Sequence, residues 1–175
     1  MPPADPNVVQ HIYGFAEVTL DKSSRFLIPA EFFERLKART PMRMTVDPQG
    51  RCLEVRTEDM FMALATRIRA AARGLSADAV QALMIEYLGY SVEVQADNAY
   101  RLTIPKKMRD AIGEETELVL VGVGDAVQIW TRSAFRASQH ERRIAILREL
   151  PRVVNAVYGI DPIPAPAPAP KEADA

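Results

Sequence analysis

Two arginines, Arg25 and Arg101, stand in the same local sequence, and it is the strongest chemical signal in the chain. The first copy reads Asp21-Lys22-Ser23-Ser24-Arg25-Phe26-Leu27-Ile28-Pro29 and the second Asp97-Asn98-Ala99-Tyr100-Arg101-Leu102-Thr103-Ile104-Pro105. Both fit D-x-x-x-R-(apolar)-x-I-P at a constant offset of 76 residues. Arginine presents a flat fork of donors that suits phosphate oxygens or the O6/N7 edge of guanine. Lys22 adds a cation in the first copy, and Lys106, Lys107 and Arg109 follow the second. Residues 97–110 carry four cations against two anions, a net +2, in a chain whose total is −1. Positive charge gathered on the repeat of an otherwise acidic protein is the footprint of a nucleic-acid face. The aspartates have a different task. Asp21 and Asp97 each precede their arginine by four residues. A carboxylate there can close a tight turn on backbone N–H groups and pair with the guanidinium. Asp21–Arg25 and Asp97–Arg101 read either as ion pairs that only rigidify the loops or as braces from which the arginines project, and the two readings are compatible.

Enzyme chemistry finds little support. The two histidines, His11 and His140, lie on different segments, and neither has a second imidazole or thiol at ligand spacing. Neither a metal nor any other cofactor is expected. Cys52 sits in an alternating apolar run, which reads as a buried thiol rather than a nucleophile. Gly122-Val123-Gly124 does not lead into a helix, so it is no dinucleotide fingerprint. Asp21 and Asp97 do not make an acid/base pair, because a nearby arginine holds each ionised. The chain is expected not to be an enzyme and to have no small-molecule substrate.

The elements that must position the arginines also repeat. Glu17-Val18 answers Glu93-Val94 at the same offset, Leu36 answers Ile112, and Met42 answers Leu118. The offset then falls to 74, and Leu53, Val55, Thr57 and Phe61 match Val127, Ile129, Thr131 and Phe135. A change of two residues is what a hairpin turn absorbs. Asp47-Pro48-Gln49-Gly50 and Gly122-Val123-Gly124-Asp125 read as those turns. Each half thus reads as strand, turn, strand, short helix, strand, turn, strand. Alternation breaks at Gly14, which suggests a bulge. Pro29 and Pro105 fit the first position of a helix. The first helix reads as about ten residues closed by Pro41, and Gly113 sits where the second one ends. Between the halves, Met60, Leu64, Ile68 and Ala72 recur at helical spacing. Gly74 interrupts, and Ser76 caps a second helix with Val80, Leu83, Met84 and Tyr87 inward. A last helix runs from Ser133 to about Leu150, with Phe135, Ile144 and Leu147 on its apolar side, and ends before Pro151.

A module of about 45 residues buries too little apolar surface to be comfortable alone, so two such halves should share a core. The chain of 175 residues, 48% apolar and 26% charged, has that capacity. No apolar run approaches the roughly 20 residues of a membrane span, and the N-terminus has no secretion signal. With Cys52 as the single cysteine no internal disulfide forms, which fits the reducing cytoplasm. The organisation expected is a disordered N-terminus (1–11), a first β-module (12–59), linking helices (60–89), a second β-module (90–134), a C-terminal helix (135–158) and a Pro/Ala-rich disordered tail (159–175).

At these residues the sequence resembles the MraZ family, within the wider AbrB/SpoVT group of swapped-hairpin DNA-binding proteins. The resemblance covers about residues 12 to 150. It rests on Tyr13-Gly14, both motifs, the Gly113 turn, the Leu-Val-Leu-Val-Gly run at 118–122, and Ile129-Trp130 before a helix. It implies an α+β fold of two tandem swapped-hairpin β-modules forming a small shared β-barrel, with a helical hairpin between them and a C-terminal helix. It also implies a homo-oligomeric ring that binds double-stranded DNA at direct repeats upstream of its own operon. The effect would usually be to restrain transcription of the division and cell-wall gene cluster, in the cytoplasm on the nucleoid. By this similarity Arg25 and Arg101 face the DNA, with Lys22 beside the first. Repetition matters physically, since linked sites raise avidity by about 10²–10⁴ without new contacts.

One departure stands out. Such proteins commonly carry glycine just before the motif arginine, where this chain has Ser24 and Tyr100. A left-handed backbone costs a non-glycine residue roughly 1–2 kcal/mol. The loops either differ or are braced, and Tyr100 offers a ring to stack or a hydroxyl to reach a phosphate. Two other classes of function stay open: a structural or partner-binding oligomer, and an antitoxin-like protein whose helices and tail clasp a toxin.

Overall fold

The computed structural model describes residues 11–159. The loose N-terminus and the Pro/Ala-rich tail expected from composition lie outside the described residues. The first module comprises β1 (Ile12–Thr19), β2 (Arg25–Leu27), α1 (Ala30–Arg35), β3 (Met42–Val46) and β4 (Leu53–Thr57). Then come α2 (Glu58–Ala71), α3 (Ala77–Met84) and a π-helical turn, Ile85–Gly89. The second module repeats the first as β5 (Val92–Val94), β6 (Arg101–Thr103), α4 (Lys106–Ile112), β7 (Glu117–Gly124) and β8 (Val127–Thr131). The last helix is α5 (Arg132–Tyr158). The chain divides into two compact units after Phe135.

The two modules exchange strands. The main sheet has the order β1-β7-β8-β4-β3-β5, and β2 pairs β6 in a separate two-stranded ribbon. The first strand of each module therefore pairs with the third strand of the other. The registers obey the repeat: Val18 faces Leu118 as Val94 faces Met42, and Glu17 faces Val119 as Glu93 faces Arg43. At the centre Leu53 faces Ile129 and Val55 faces Val127, so β4 and β8 meet across a pseudo-twofold axis. This is an α+β arrangement of tandem swapped-hairpin modules. Among the described residues the sheet is not seen to close, and β1 and β5 lie at its opposite edges.

The shared core lies on one face of this sheet. Phe26, Ile28, Phe32, Leu36, Met42, Met44, Leu53 and Val55 from the first module pack with Leu102, Ile104, Met108, Leu118, Leu120, Val127 and Ile129 from the second. Full burial of such side chains contributes roughly 1.5–3 kcal/mol each. On the other face Cys52, Val119 and Trp130 form a smaller cluster. Cys52 is buried as expected, and burial pushes its thiol pKa upward, so it is held as the inert thiol.

Several local expectations are corrected. Pro29 and Pro105 are helix N-caps rather than first helical residues, since their ψ angles of 142° and 147° are extended. Helix α1 has six residues, not about ten, and ends well before Pro41. Lys37 turns left-handed at φ 49°. The bonds from Lys37 N to Glu34 O and from Ala38 N to Phe33 O then close the helix as a Schellman motif. Gly14 makes no bulge, because β1 pairs β7 without interruption from Ile12 to Thr19. It faces Gly122 instead, and both mark close approaches. A Cβ on Gly14 would lie 3.3 Å from the Glu31 carboxylate and the Phe32 ring, and one on Gly122 only 2.6 Å from the Ile12 carbonyl oxygen. Gly122 thus belongs to β7, and the second turn lies beyond it, closed by Val123 N to Ala126 O.

In the linking segment Ser76 caps α3 through Ala79 N, as its type predicts. Met60, Leu64 and Ile68 are half-buried, while Phe61 and Ala65 supply the buried contacts of α2. Helix α5 does not stop before Pro151 but runs through it to Tyr158. Proline removes the bond to the Leu147 carbonyl. That residue is 60% exposed, so water can take the donor's place. Ile144 and Leu147 are exposed rather than packed on an apolar side. No helix among the described residues is long and apolar enough to cross a membrane.

Candidate nucleic-acid interface

Both motif loops are built on one carboxylate each, and they are built alike. Oδ1 of Asp21 accepts the backbone N–H of Ser23 and Arg25, and Oδ1 of Asp97 accepts those of Ala99 and Arg101. The other oxygen of each, Oδ2, accepts Nε and Nη2 of its arginine, at 2.9 Å in all four contacts. The Arg25 bonds hold the Asp21 carboxyl below its ordinary pKa of 3.8, and those from Arg101 do the same for Asp97. Both aspartates are therefore ionised at neutral pH, and each carboxylate bonds both the backbone of its own loop and its own arginine.

The clamp also explains the missing glycines. Ser24 and Tyr100 are left-handed, at φ 56° and 60°. The loop keeps a glycine-like backbone, and backbone bonds hold it there. Asp21 N bonds Arg25 O at 2.8 Å, Ser24 N bonds Asp21 O at 3.0 Å, and the second loop repeats both. Each loop also holds the other, through Ile28 N to Tyr100 O and Ile104 N to Ser24 O, both 2.9 Å.

The ribbon brings the two arginines together. Arg25 faces Thr103 and Leu27 faces Arg101. Residues paired across antiparallel strands share a face, as do residues two apart on one strand. Arg25, Leu27, Arg101 and Thr103 therefore occupy one face, with the arginines at diagonal corners roughly 7–8 Å apart at Cα. Phe26 and Leu102 point the other way into the core. The outward Leu27 is 61% exposed. Each clamp engages the Nε side of the guanidinium. Nη1, at the far end of the fork, keeps its donors free of any partner among the described residues.

The other expected cations fall in different settings. Lys22 is exposed in the first loop. Lys106 is exposed at the start of α4, the end of a helix where a cation is disfavoured by the dipole. Lys107 follows it but lies over the Tyr90 ring, 4.7 Å from the centroid, and lines a cavity of about 380 Å³ with Tyr87 and Glu86. Arg109 is turned to the protein, donating to the Glu115 carbonyl at 2.6 Å. Sequence reasoning missed Arg39. Its guanidinium stands 5.2 Å from the centroid of the Tyr100 ring and donates to the Tyr100 hydroxyl at 2.9 Å. Nothing in the repeat signals it, because position 115, its counterpart 76 residues on, is a glutamate.

A sheet of exchanged strands and a ribbon carrying two braced arginines define the class: a tandem swapped-hairpin protein with a paired cationic loop face. A family model described as "MraZ protein, putative antitoxin-like" matches residues 88–148. The chain is 30% identical to the transcriptional regulator MraZ of Burkholderia cenocepacia over 128 residues, 72% of this chain and 86% of that protein. It is 30% identical to its namesake from Saccharophagus degradans over 128 residues, covering 71% and 85%. To that of Clavibacter michiganensis subsp. michiganensis it is 32% identical over 111 residues, covering 63% and 74%. This chain belongs to the MraZ family.

Proposed function

We propose that this chain is a sequence-specific DNA-binding regulator of transcription that works as a homo-oligomer and catalyses no reaction. The observation that carries the reading is the ribbon face on which Arg25 and Arg101 stand together. A two-stranded ribbon is one of the two elements that the major groove admits, and an arginine offering its outer end suits guanine O6 and N7. Prior clamping by Asp21 and Asp97 lowers the ordering cost of that contact. The relatives named transcriptional regulators support the same reading. Lys22 and Lys106 serve as phosphate contacts beside the face, and Lys107 contributes from the Tyr90 side.

One ribbon with so few cations binds weakly at physiological salt. The reading therefore includes self-association into a ring that presents many copies to direct-repeat boxes upstream of its own operon. There it represses the division and cell-wall cluster on the nucleoid. Exposed apolar side chains support self-association: Ile146, Leu150, Val153 and Val157 on α5, and Tyr13 and Phe15 on β1. The test is a gel shift on the protein's own upstream DNA, with light scattering on the same samples. Arg25→Ala and Arg101→Ala are each expected to abolish operator binding with assembly intact. Full affinity in both variants would refute the reading. The same exposed α5 residues favour a second reading, a partner-binding or antitoxin-like protein. A partner that survives nuclease treatment, with no salt-dependent DNA affinity, would select it.

A further inference from the structure

The two motif loops differ in one respect that the repeat does not predict. Ser24, in the first, is small. Tyr100, in the second, sends its ring against Phe33, with centroids 4.7 Å apart in an edge contact. Arg39 follows α1 and belongs to the first module. Its guanidinium lies 5.9 Å from the Phe33 centroid and 5.2 Å from that of Tyr100, and Nη2 donates to the Tyr100 hydroxyl. Cation–π contact and a hydrogen bond therefore hold an exposed arginine beside the residue that immediately precedes Arg101. Its charge is left uncompensated, because Arg39 forms no ion pair among the described residues. Arg25 and Arg101 each have an aspartate.

The surroundings fix this position further. Ala96 N bonds the Ala38 carbonyl at 2.9 Å, and the Gln95 side chain donates to the Arg39 carbonyl, so the strand end before Asp97 holds the backbone that carries the arginine. The Tyr100 hydroxyl accepts from Arg39 and keeps its own proton to donate. An oxygen anion placed there would meet a phenol O–H and free guanidinium donors together.

We propose that Arg39, positioned by Tyr100, is an additional phosphate-contacting residue that this chain supplies at its second motif loop alone. A guanidinium without a carboxylate partner is suited to phosphate as a charge, whereas the clamped Arg25 and Arg101 are suited to a base edge as oriented forks. The first loop has no counterpart. Position 115 is a glutamate, and its carboxylate is occupied by the Ser133 backbone N–H and hydroxyl. The two loops therefore grip the backbone unequally, and the second contributes more of the salt-dependent affinity.

This inference rests on the DNA-binding reading, and the experiment separates the two. The full chain, Arg39→Ala, Arg39→Gln and Tyr100→Phe are titrated with the chain's own upstream DNA and with an unrelated duplex of equal length, at several salt concentrations. Circular dichroism melting is followed in parallel. Absence of salt-dependent binding by the unaltered chain defeats the functional reading itself. If the unaltered chain binds, both Arg39 variants are expected to weaken binding to both duplexes alike, about fivefold near 0.15 M salt, and to lower the salt slope by roughly one unit. Melting should fall only slightly, since the contacts Arg39 makes with Phe33 and Tyr100 are made at an exposed position. Tyr100→Phe keeps the ring and loses the hydrogen bond, so it should shift the slope in the same direction by less. Wild-type slope and affinity in both Arg39 variants would overturn the assignment. So would a loss confined to the operator, which would make Arg39 a base reader. A wild-type slope in Tyr100→Phe would overturn the positioning role.

Discussion

At the scale of single residues, non-glycine side chains take left-handed backbone three times among the described residues. Ser24 and Tyr100 sit inside loops where an aspartate oxygen and neighbouring backbone groups hold the turn, and each precedes an arginine whose placement depends on that turn. Lys37 is different. It is left-handed at φ 49° and exposed, in a helix end that glycine would close equally well. The left-handed conformation costs a lysine about 1–2 kcal/mol. Glycine's greater freedom in the unfolded chain returns about 0.5–1 kcal/mol of that. Lys37→Gly is therefore expected to stabilise the protein by about 0.5–1 kcal/mol, read as a raised urea midpoint with an unchanged slope. An unchanged or lowered midpoint would show that Lys37 makes a favourable contact the helix end alone does not explain. The arginines and their aspartates were legible here because type and spacing recur. Arg39 was not, since what seats it is a tyrosine 61 residues away.

At the scale of elements, what governs the architecture is how closely strands approach. Hydrophobic alternation and turn residues mark β1 to β4 and β5 to β8 in the order observed. They fail at Gly14 and Gly122, where the sequence suggests a bulge and a turn. Both glycines answer instead to neighbours distant in the chain: a helix side chain over Gly14 and the β1 backbone against Gly122. Gly122→Ala would drive a methyl into the Ile12 carbonyl, where backbone on both sides leaves no flexible group to yield. The expected cost is about 1–3 kcal/mol, typical of overpacking. It should appear as a lowered melting temperature with faster hydrogen exchange along Ile12–Thr19. A wild-type melting temperature would mean that β1 shifts without penalty. The limits of α1 and α5 escaped sequence reasoning for a related reason. A proline marks where a helix can stop, but Lys37 ended α1 sooner and solvent let α5 pass Pro151.

At the scale of the whole unit built by the two modules, the exchange of first strands makes neither half complete. β1 has its partner in β7 and β5 has its partner in β3, while both modules contribute to one core. A chain of residues 12–59 is therefore expected to show no cooperative melting as a monomer. Mixing it with residues 90–134 should restore one transition in circular dichroism. A monomeric half with a sharp transition of its own would contradict the shared core.

The sequence alone determined that there are two copies of one unit, which elements each contains, and which arginine and aspartate stand together in each loop. These follow from short-range chemistry: period-two alternation, turn-forming side chains, and a carboxylate four residues before a guanidinium. Tertiary structure decided what the copies do to each other. The open sheet with exchanged strands, the shared face of Arg25 and Arg101, and the seating of Arg39 on Tyr100 all join residues far apart along the chain. Such contacts arise from packing two incomplete cores together, a free energy that no local window of sequence contains.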